Sequence, residues 1–179
     1  KSADLVRERI SEFSIECDLK DGFIDVATNR KHMDDLIDRC EEWKQSGYHH
    51  QLKLVDETHV KKYVNSEAYV GGLIDSGSGH IHPLNLCLGE AKAASELGVQ
   101  IYENTNAVEI AEGSPAKVLT ENGSIEADYI VIAANAYIGS LNNKLRRMVM
   151  PAASCIIATE PLSDEQAAKL MPSDMAVCD

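Results

Sequence analysis

Hydrophobic residues recur at helical spacing in three segments, residues 2–14, 30–46 and 83–97. Intervals of three and four residues place such side chains on one face of a helix, so each segment is predicted to be an amphipathic helix. Asn29 is a suitable N-cap for the second helix, and Gly98 is a suitable end for the third. The third apolar face comprises Leu84, Cys87, Leu88, Ala91 and Ala94.

Strands are predicted where short apolar or alternating runs lie between turn residues. Residues 129–134 are almost wholly apolar, which is typical of a central parallel strand buried on both faces. Asn122-Gly123 predicts a two-residue hairpin turn. Ser163 and Gln166 have the spacing of a capping box for a last helix. The other predicted strands are residues 22–27, 99–102, 108–110, 116–120, 125–127 and 153–159.

Alternating helices and strands without a repeat or a low-complexity linker indicate a mixed α/β fold. The chain is predicted to combine two intermingled parts. Residues 1–70 and 148–179 form one part, and residues 71–147 form the other.

Composition narrows the classes of partner. The 179 residues carry a net charge of −12, with a sequence pI near 4.9. Such a surface repels phosphate backbones and anionic lipid, so neither a nucleic-acid partner nor a membrane partner is expected. No apolar run reaches the roughly 18 residues of a membrane helix.

The five cysteines are scattered, odd in number and without CxxC spacing. This pattern favours reduced thiols in a cytoplasmic protein over a disulfide framework or a zinc site. Cys40 and Cys87 fall on apolar helical faces, where a thiol packs as a small hydrophobe. A Cys/His hydrolase is therefore disfavoured, because a buried Cys87 would be an inert thiol. The chain begins at Lys1 and its first methionine is Met33, which is expected of an internal part of a longer protein.

Several motifs together resemble the D-amino-acid oxidase-like FAD-dependent oxidoreductases, and most closely the gamma-glutamylputrescine oxidase branch. The resemblance extends from about Asp4 to Asp179. The motifs are Glu16-Cys17-Asp18-Leu19, Gly71-Gly72-Leu73, Gly79-His80-Ile81-His82-Pro83-Leu84, Ala133-Ala134-Asn135-Ala136-Tyr137 and Ala158-Thr159-Glu160-Pro161-Leu162.

The resemblance implies a fragment of a glutathione-reductase-type FAD-binding domain, residues 71–147, with part of an antiparallel-sheet substrate domain, residues 1–70 and 148–179. It implies FAD as the cofactor of the intact protein, and an amine or amino acid as the substrate, oxidised by hydride transfer to the flavin. The chain lacks the GxGxxG turn that holds the pyrophosphate of such a cofactor. The fragment alone is therefore expected to lack bound FAD and to be inactive.

The resemblance also assigns site residues. It implies that the backbone of Val108 pairs with the adenine of FAD. It places Ala133, Ala134 and Asn135 at a strand end near the adenosine and pyrophosphate, where small residues let the backbone approach the cofactor. Plain strand-end packing is the alternative for the two alanines. No residue is assigned as a catalytic base.

The histidines allow more than one interpretation. His80 and His82 lie in a glycine-rich loop before a helix, and the resemblance places this loop near the flavin and substrate. Two histidines two residues apart can share a metal on a strand, but without a third ligand no metal site is expected. The alternative is that one histidine caps or packs against the following helix.

Tyr137 and Tyr69 are candidates for lining a substrate cavity, with core packing as the alternative. His49 and His50 are expected on a solvated loop. A second functional class also remains open, namely a non-catalytic binding or interaction domain that retains the fold. A chain that lacks its cofactor loop exposes apolar surface, so self-association is expected.

Overall fold

The computed structural model describes residues 2–48 and 50–179. The fold is mixed α/β, as predicted, with sheets that are mostly antiparallel. The elements are α1 (Ser2–Glu12), β1 (Lys20–Ala27), α2 (Arg30–Gln45), β2 (Leu52–Asp56), α3 (Glu57–Val60), β3 (Gly71–His80), α4 (Pro83–Glu96), β4 (Ala107–Ala111), β5 (Ala116–Thr120), β6 (Gly123–Ala127), a 3₁₀ turn (Asn135–Tyr137), α5 (Asn143–Arg146), α6 (Asp164–Leu170) and β7 (Ala176–Cys178).

The chain divides into two compact units, Lys1–Val99 with Thr159–Asp179, and Gln100–Ala158. β3 is hydrogen-bonded between β2 and β1, and it lies in the first of these compact units. The assignment of the two parts to a substrate domain and an FAD-binding domain stays a prediction.

The first unit is built on a four-stranded sheet with the order β2-β3-β1-β7. β3 pairs antiparallel with both β1 and β2, and β7 adds to β1 in parallel. Apolar side chains cover both faces of this sheet. One core cluster contains Ala27, Leu36, Cys40 and Leu73, and the other contains Ile24, Val26, Val55, Val60, Val64 and Ile74.

Helix α2 packs on the first of these faces through Leu36 and Cys40, as its apolar stripe predicts. Its ends also follow the sequence. The side chain of Asn29 accepts a hydrogen bond from the backbone N–H of His32 at the N-terminus. At the other end Gly47 has φ +77°, a conformation that glycine adopts without the penalty of a Cβ atom. This turn directs Tyr48 back towards the sheet.

The second unit contains a three-stranded antiparallel sheet with the order β4-β5-β6. The β5–β6 hairpin is confirmed, although Thr120 pairs with Gly123, so its two loop residues are Glu121 and Asn122. β4 is an edge strand with an irregularity between Ala107 and Glu109.

Three predicted strands are wrong. Residues 99–102, 129–134 and 153–159 form no strand in the described structure. Tyr129 and Val131, expected in a central buried strand, are 90% and 89% exposed. The physical reason is that none of these segments pairs with a strand of either sheet in the described structure. Apolar character indicates a preference for burial, but a strand also requires a neighbour to complete its hydrogen bonds.

The prediction that the apolar face of α4 is buried is also wrong for its largest side chains. The helix itself is confirmed, but Leu84 and Leu88 are exposed and only Ala93 is buried. Gly89 approaches Ile15, where a Cβ atom would lie 2.3 Å from the Ile15 side chain. Small residues of α4, such as Gly89, therefore form its packing contacts within the first unit. Cys87 is exposed, so the argument that burial makes its thiol inert is wrong.

Among the described helices, none has the length and apolar composition needed to cross a membrane.

Candidate functional site

Asp75 is the one buried charged residue among those that the structure describes, with 4% of its surface exposed. It lies inside β3, opposite Phe23 of β1 and Leu52 of β2. A carboxylate in this position is stable only when hydrogen bonds replace the water it has lost. The groups that surround Asp75 therefore determine its charge and its hydrogen bonding.

Three neutral groups donate hydrogen bonds to the Asp75 carboxylate. The Tyr48 hydroxyl lies 2.8 Å from each carboxylate oxygen, and the Ser78 hydroxyl lies 2.5 Å from Oδ2. The backbone N–H of Gly77 donates to Oδ1 at 2.8 Å. Gly77 and Ser78 follow Asp75 along β3, whereas Tyr48 arrives from the turn after α2.

These contacts shift the pKa values of both titratable partners. Burial raises the pKa of Asp75, but the hydrogen bonds from Ser78, Tyr48 and Gly77, together with the charge of the nearby His50, outweigh it. The pKa therefore lies below its ordinary value of 3.8. Burial raises the pKa of Tyr48 above 10.0, and the Asp75 carboxylate adds to that rise. At neutral pH the pair therefore consists of a carboxylate and a neutral phenol.

A cleft of about 380 Å³ opens beside this pair, lined by Trp43, Ser46, Gly47, Tyr48, Asp75 and Ser78. The rings of Trp43 and Tyr48 meet at an angle of 55° with centroids 5.6 Å apart, which makes an aromatic corner. The ring of His50 lies 5.1 Å from that of Tyr48. The cleft thus combines aromatic faces with a buried negative charge. We call it the Trp43–Asp75 cleft.

A second cleft of about 440 Å³ shares Tyr48 and Ser78 with the first, and Arg7 and His50 also contribute to its lining. The guanidinium of Arg7 is already engaged, since it pairs with Asp21 at 2.7 Å and donates to the Gly77 carbonyl at 3.4 Å. Its charge is therefore largely balanced within the chain.

The two candidate histidines have structural contacts. His80 ends β3 instead of lying in a loop, which corrects the prediction, and its Nε2 lies 2.8 Å from the carbonyl oxygen of Asp174. His82 is the N-cap of α4, where its Nδ1 accepts the backbone N–H of Asn85 at 3.2 Å. The capping alternative therefore describes His82. His50 is exposed, as expected of a solvated loop, whereas His49 lies outside the described residues.

The predicted cofactor residues lie in the second unit. Val108 is half-exposed and sits at the irregularity of β4, where the register with β5 gives it no opposite residue. Ala133 is exposed and Ala134 is half-buried. Asn135 has φ +47° and begins the 3₁₀ turn, which ends at the exposed Tyr137. Ala134, Asn135 and Tyr137 are thus close together because they are near neighbours in the sequence.

Tyr69, the other tyrosine candidate, is half-buried and packs against the apolar cluster around Ile24 and Ile74. No group of three or more potential metal ligands is present in the described part of the chain. Tyr48 is a site residue that the sequence did not suggest. An informative feature was nonetheless present, because Asp75 is an acidic residue directly after the apolar pair Leu73-Ile74.

Comparisons of the chain with known proteins agree on one family. The family model described as "DAO: FAD dependent oxidoreductase" matches residues 1–179. A probable oxidoreductase OrdL of Haemophilus influenzae is 41% identical over the whole chain, which covers 43% of that protein. Gamma-glutamylputrescine oxidoreductase of Escherichia coli is 37% identical, again over the whole chain and over 42% of that protein. The chain thus spans about two fifths of the length of these curated relatives.

Solved structures share the fold. Glycine oxidase from Geobacillus kaustophilus superposes with a TM-score of 0.65 at 25% identity, over 75% of this chain and 37% of that one. L-proline dehydrogenase from P. horikoshii has a TM-score of 0.67 at 20% identity, over 79% of this chain and 38% of that one. The family match over residues 1–179 establishes that the chain belongs to the DAO family of FAD-dependent oxidoreductases.

Proposed function

We propose that the full-length protein containing this chain oxidises an amine or an amino acid with FAD. The observation that carries the proposal is the 37% identity, over the whole chain, to a gamma-glutamylputrescine oxidoreductase. The likeness to a glycine oxidase supports the same class of substrate, a carbon–hydrogen bond beside nitrogen. Both relatives are much longer than this chain, so the activity is proposed for the whole protein.

The second unit has features that fit part of an FAD molecule. β4 is an edge strand, and its irregularity leaves Val108 without an opposite residue on β5. Ala133 and Ala134 have short side chains that allow a ligand to approach the backbone. We therefore assign Val108 to the adenine, and Ala133, Ala134 and Asn135 to the adenosine and pyrophosphate.

When bound, FAD would supply the hydride acceptor for substrate oxidation. The residues of this chain would bind and orient the cofactor, with the backbone of Val108 fixing the adenine and the small residues fixing the distance to the sugar and phosphates. His80, His82 and Tyr137 remain substrate-site candidates. No side chain of this chain is proposed as a catalytic acid or base.

The 179-residue chain alone is proposed to be inactive, because it contains no GxGxxG sequence to hold the pyrophosphate. An alternative is a non-catalytic interaction domain that retains the fold. The observation that favours this alternative is the exposure of large apolar side chains in the second unit, including Tyr129, Val131 and Ile157.

The experiment is to purify the full-length protein and record its visible spectrum before and after anaerobic addition of gamma-glutamylputrescine, glycine or L-proline. A flavin spectrum that is bleached by one of these compounds is the expected result. A colourless protein that does not take up added FAD would refute the oxidase and leave the interaction domain. Flavin that none of these compounds reduces would refute the proposed substrate class.

A variant tests the assignment of the cofactor residues. Ala133→Leu adds a bulky side chain where the cofactor is proposed to approach, so FAD occupancy of the full-length protein should fall. Ala152→Leu is the matched control, since Ala152 is an exposed alanine of the same unit. Equal FAD occupancy in the two variants would contradict the assignment of Ala133.

A further inference from the structure

We propose that the Trp43–Asp75 cleft is a binding site for an alkylammonium group. The site belongs wholly to the first unit and uses none of the residues assigned to FAD. The inference therefore goes beyond the proposed oxidase activity and can be tested without the cofactor.

The first argument is that the buried carboxylate of Asp75 forms no direct ion pair within the described residues. Its carboxylate is buried, yet its donors are a phenol, a serine hydroxyl and a backbone N–H, all of them neutral. Buried carboxylates are usually paired with a cation. The hydrogen bonds keep Asp75 ionised. His50 also acts on the carboxylate through its charge but forms no ion pair with it among the described residues, so Asp75 can accept a further cation.

The second argument is the aromatic corner. Trp43 and Tyr48 line the same cleft as Asp75, and their rings meet at 55°. The face of an aromatic ring attracts a cation, and tryptophan does so most strongly. Arg39 already lies 5.9 Å from the centroid of the Trp43 ring. However, its guanidinium pairs with Asp25 at 2.8 Å and makes no ion pair with Asp75.

The third argument is the end of α2. Ser46 is the C-cap of this 16-residue helix, and both Ser46 and Gly47 line the cleft. The C-terminus of a helix carries a partial negative charge that favours a cation. A carboxylate, two aromatic rings and a helix C-terminus thus converge on one cleft, and each of them attracts positive charge.

The size and lining of the cleft select the ligand. About 380 Å³ accommodates a short alkyl chain with an ammonium head. The indole and phenol rings give the alkyl part apolar contacts, and the Ser78 hydroxyl offers a polar contact. The combination favours an organic ammonium ion over an inorganic cation, because metal ions require several oxygen, nitrogen or sulfur ligands and no potential metal cluster occurs in the described residues.

The single tryptophan of the chain, Trp43, provides a direct reporter. The 179-residue chain is titrated with n-butylammonium chloride while Trp43 fluorescence is recorded, and 1-butanol serves as the uncharged probe of the same shape. We expect a saturable change with n-butylammonium at concentrations at least about tenfold lower than any change with 1-butanol. Identical titrations with both probes would overturn the proposal.

Asp75→Asn removes the charge and keeps the shape, so it should weaken n-butylammonium binding by about tenfold or more. Asp38→Asn is the matched control, because Asp38 is an exposed carboxylate on α2 and its loss changes the net charge equally. Binding to Asp38→Asn should equal that of the original chain. Unchanged affinity in Asp75→Asn, or an equal loss in both variants, would overturn the proposal.

Circular dichroism establishes whether Asp75→Asn is folded. If it is not, Trp43→Leu and Trp43→Phe are compared by isothermal titration calorimetry with the same probe. Loss of the aromatic face in Trp43→Leu should weaken binding by about fivefold or more, while Trp43→Phe should retain most of the affinity. Equal affinities for the two variants would overturn the proposal.

Discussion

At the residue scale, Asp75 joins α2 to the central strand of the first sheet. Its carboxylate accepts hydrogen bonds from the hydroxyl of Tyr48, in the turn after α2, and from the hydroxyl of Ser78, on β3. Asp75→Ala leaves these donors without their acceptor, so the free energy of unfolding should fall by about 1–3 kcal/mol. Urea denaturation measures the change. Asp38→Ala, at an exposed position of α2, should stay within about 0.5 kcal/mol of the original chain.

The pH dependence of stability follows from the lowered pKa of Asp75. The pKa in the folded chain lies below the ordinary value of 3.8, so the contribution of Asp75 is present above that value and is lost as the pH falls through the folded pKa. The difference in unfolding free energy between the original chain and Asp75→Asn should therefore be constant near neutral pH and change only below about pH 4. Urea denaturation at a series of pH values checks this. A difference that changes between neutral pH and pH 5 would contradict the lowered pKa.

The cleft at Asp75 is not among the sites predicted from the sequence, for a physical reason. The sequence shows an acidic residue directly after the apolar Leu73-Ile74 pair, but it does not show which groups surround it. Tyr48, however, lies 27 residues away, and its position depends on the left-handed turn at Gly47. Nothing in the pattern around Tyr48 specifies that contact, because it arises only when α2 packs on the sheet.

At the element scale, β3 depends on close approach between backbones. A Cβ atom at Gly79 would lie 2.3 Å from the carbonyl oxygen of Lys20 on β1, which is too close for any rotamer change to relieve. Gly79→Ala should therefore lower the free energy of unfolding by about 1–3 kcal/mol or more. Gly123→Ala is the control, since no atom lies within 4 Å of a Cβ there and its φ is not positive. Equal stability of the two variants, measured by thermal unfolding, would contradict this packing.

The start of α4 gives a prediction that separates two roles of His82. As the N-cap, His82 accepts the backbone N–H of Asn85. Asparagine is a preferred N-cap, so His82→Asn should be at least as stable as the original chain, while His82→Ala should lose up to about 1 kcal/mol. Stability is measured by urea denaturation. In the full-length protein, His82→Asn should also retain amine-dependent flavin reduction if capping is the only role. Loss of that activity with intact stability would instead place His82 at the substrate.

The helices and strands show where the local sequence pattern is sufficient to predict the structure. Helix α2, the β5–β6 hairpin and the capping box of Ser163 are determined by neighbouring residues, and all three were predicted from the sequence. The strand expected at residues 129–134 failed because a strand is defined by its partners, which local sequence does not specify. The sequence predicts a glycine-rich loop around His80, where the structure has the end of β3. Its glycines instead allow the close pairing with β1.

At the scale of the whole molecule, the acidity of the chain and its exposed apolar side chains have opposite effects on association. A net charge of −12 keeps molecules apart at low salt. Large apolar residues of the second unit are exposed nonetheless, and Val131 and Ile157 are 89% and 94% accessible. Salt screens the repulsion without weakening the apolar attraction. Self-association of the chain should therefore increase as salt is added.

This self-association can be measured by sedimentation velocity over a range of protein and salt concentrations. Val131→Ser combined with Ile157→Ser should shift the distribution towards monomer, because exposed apolar surface drives the association. The fold should be unaffected, since both positions are surface-exposed and such substitutions change stability by about 0.5 kcal/mol or less. Ala152→Ser, at an exposed position of the same unit, removes little apolar surface and should leave the distribution unchanged. A chain that stays monomeric at high concentration and high salt would show that these side chains do not form an association surface.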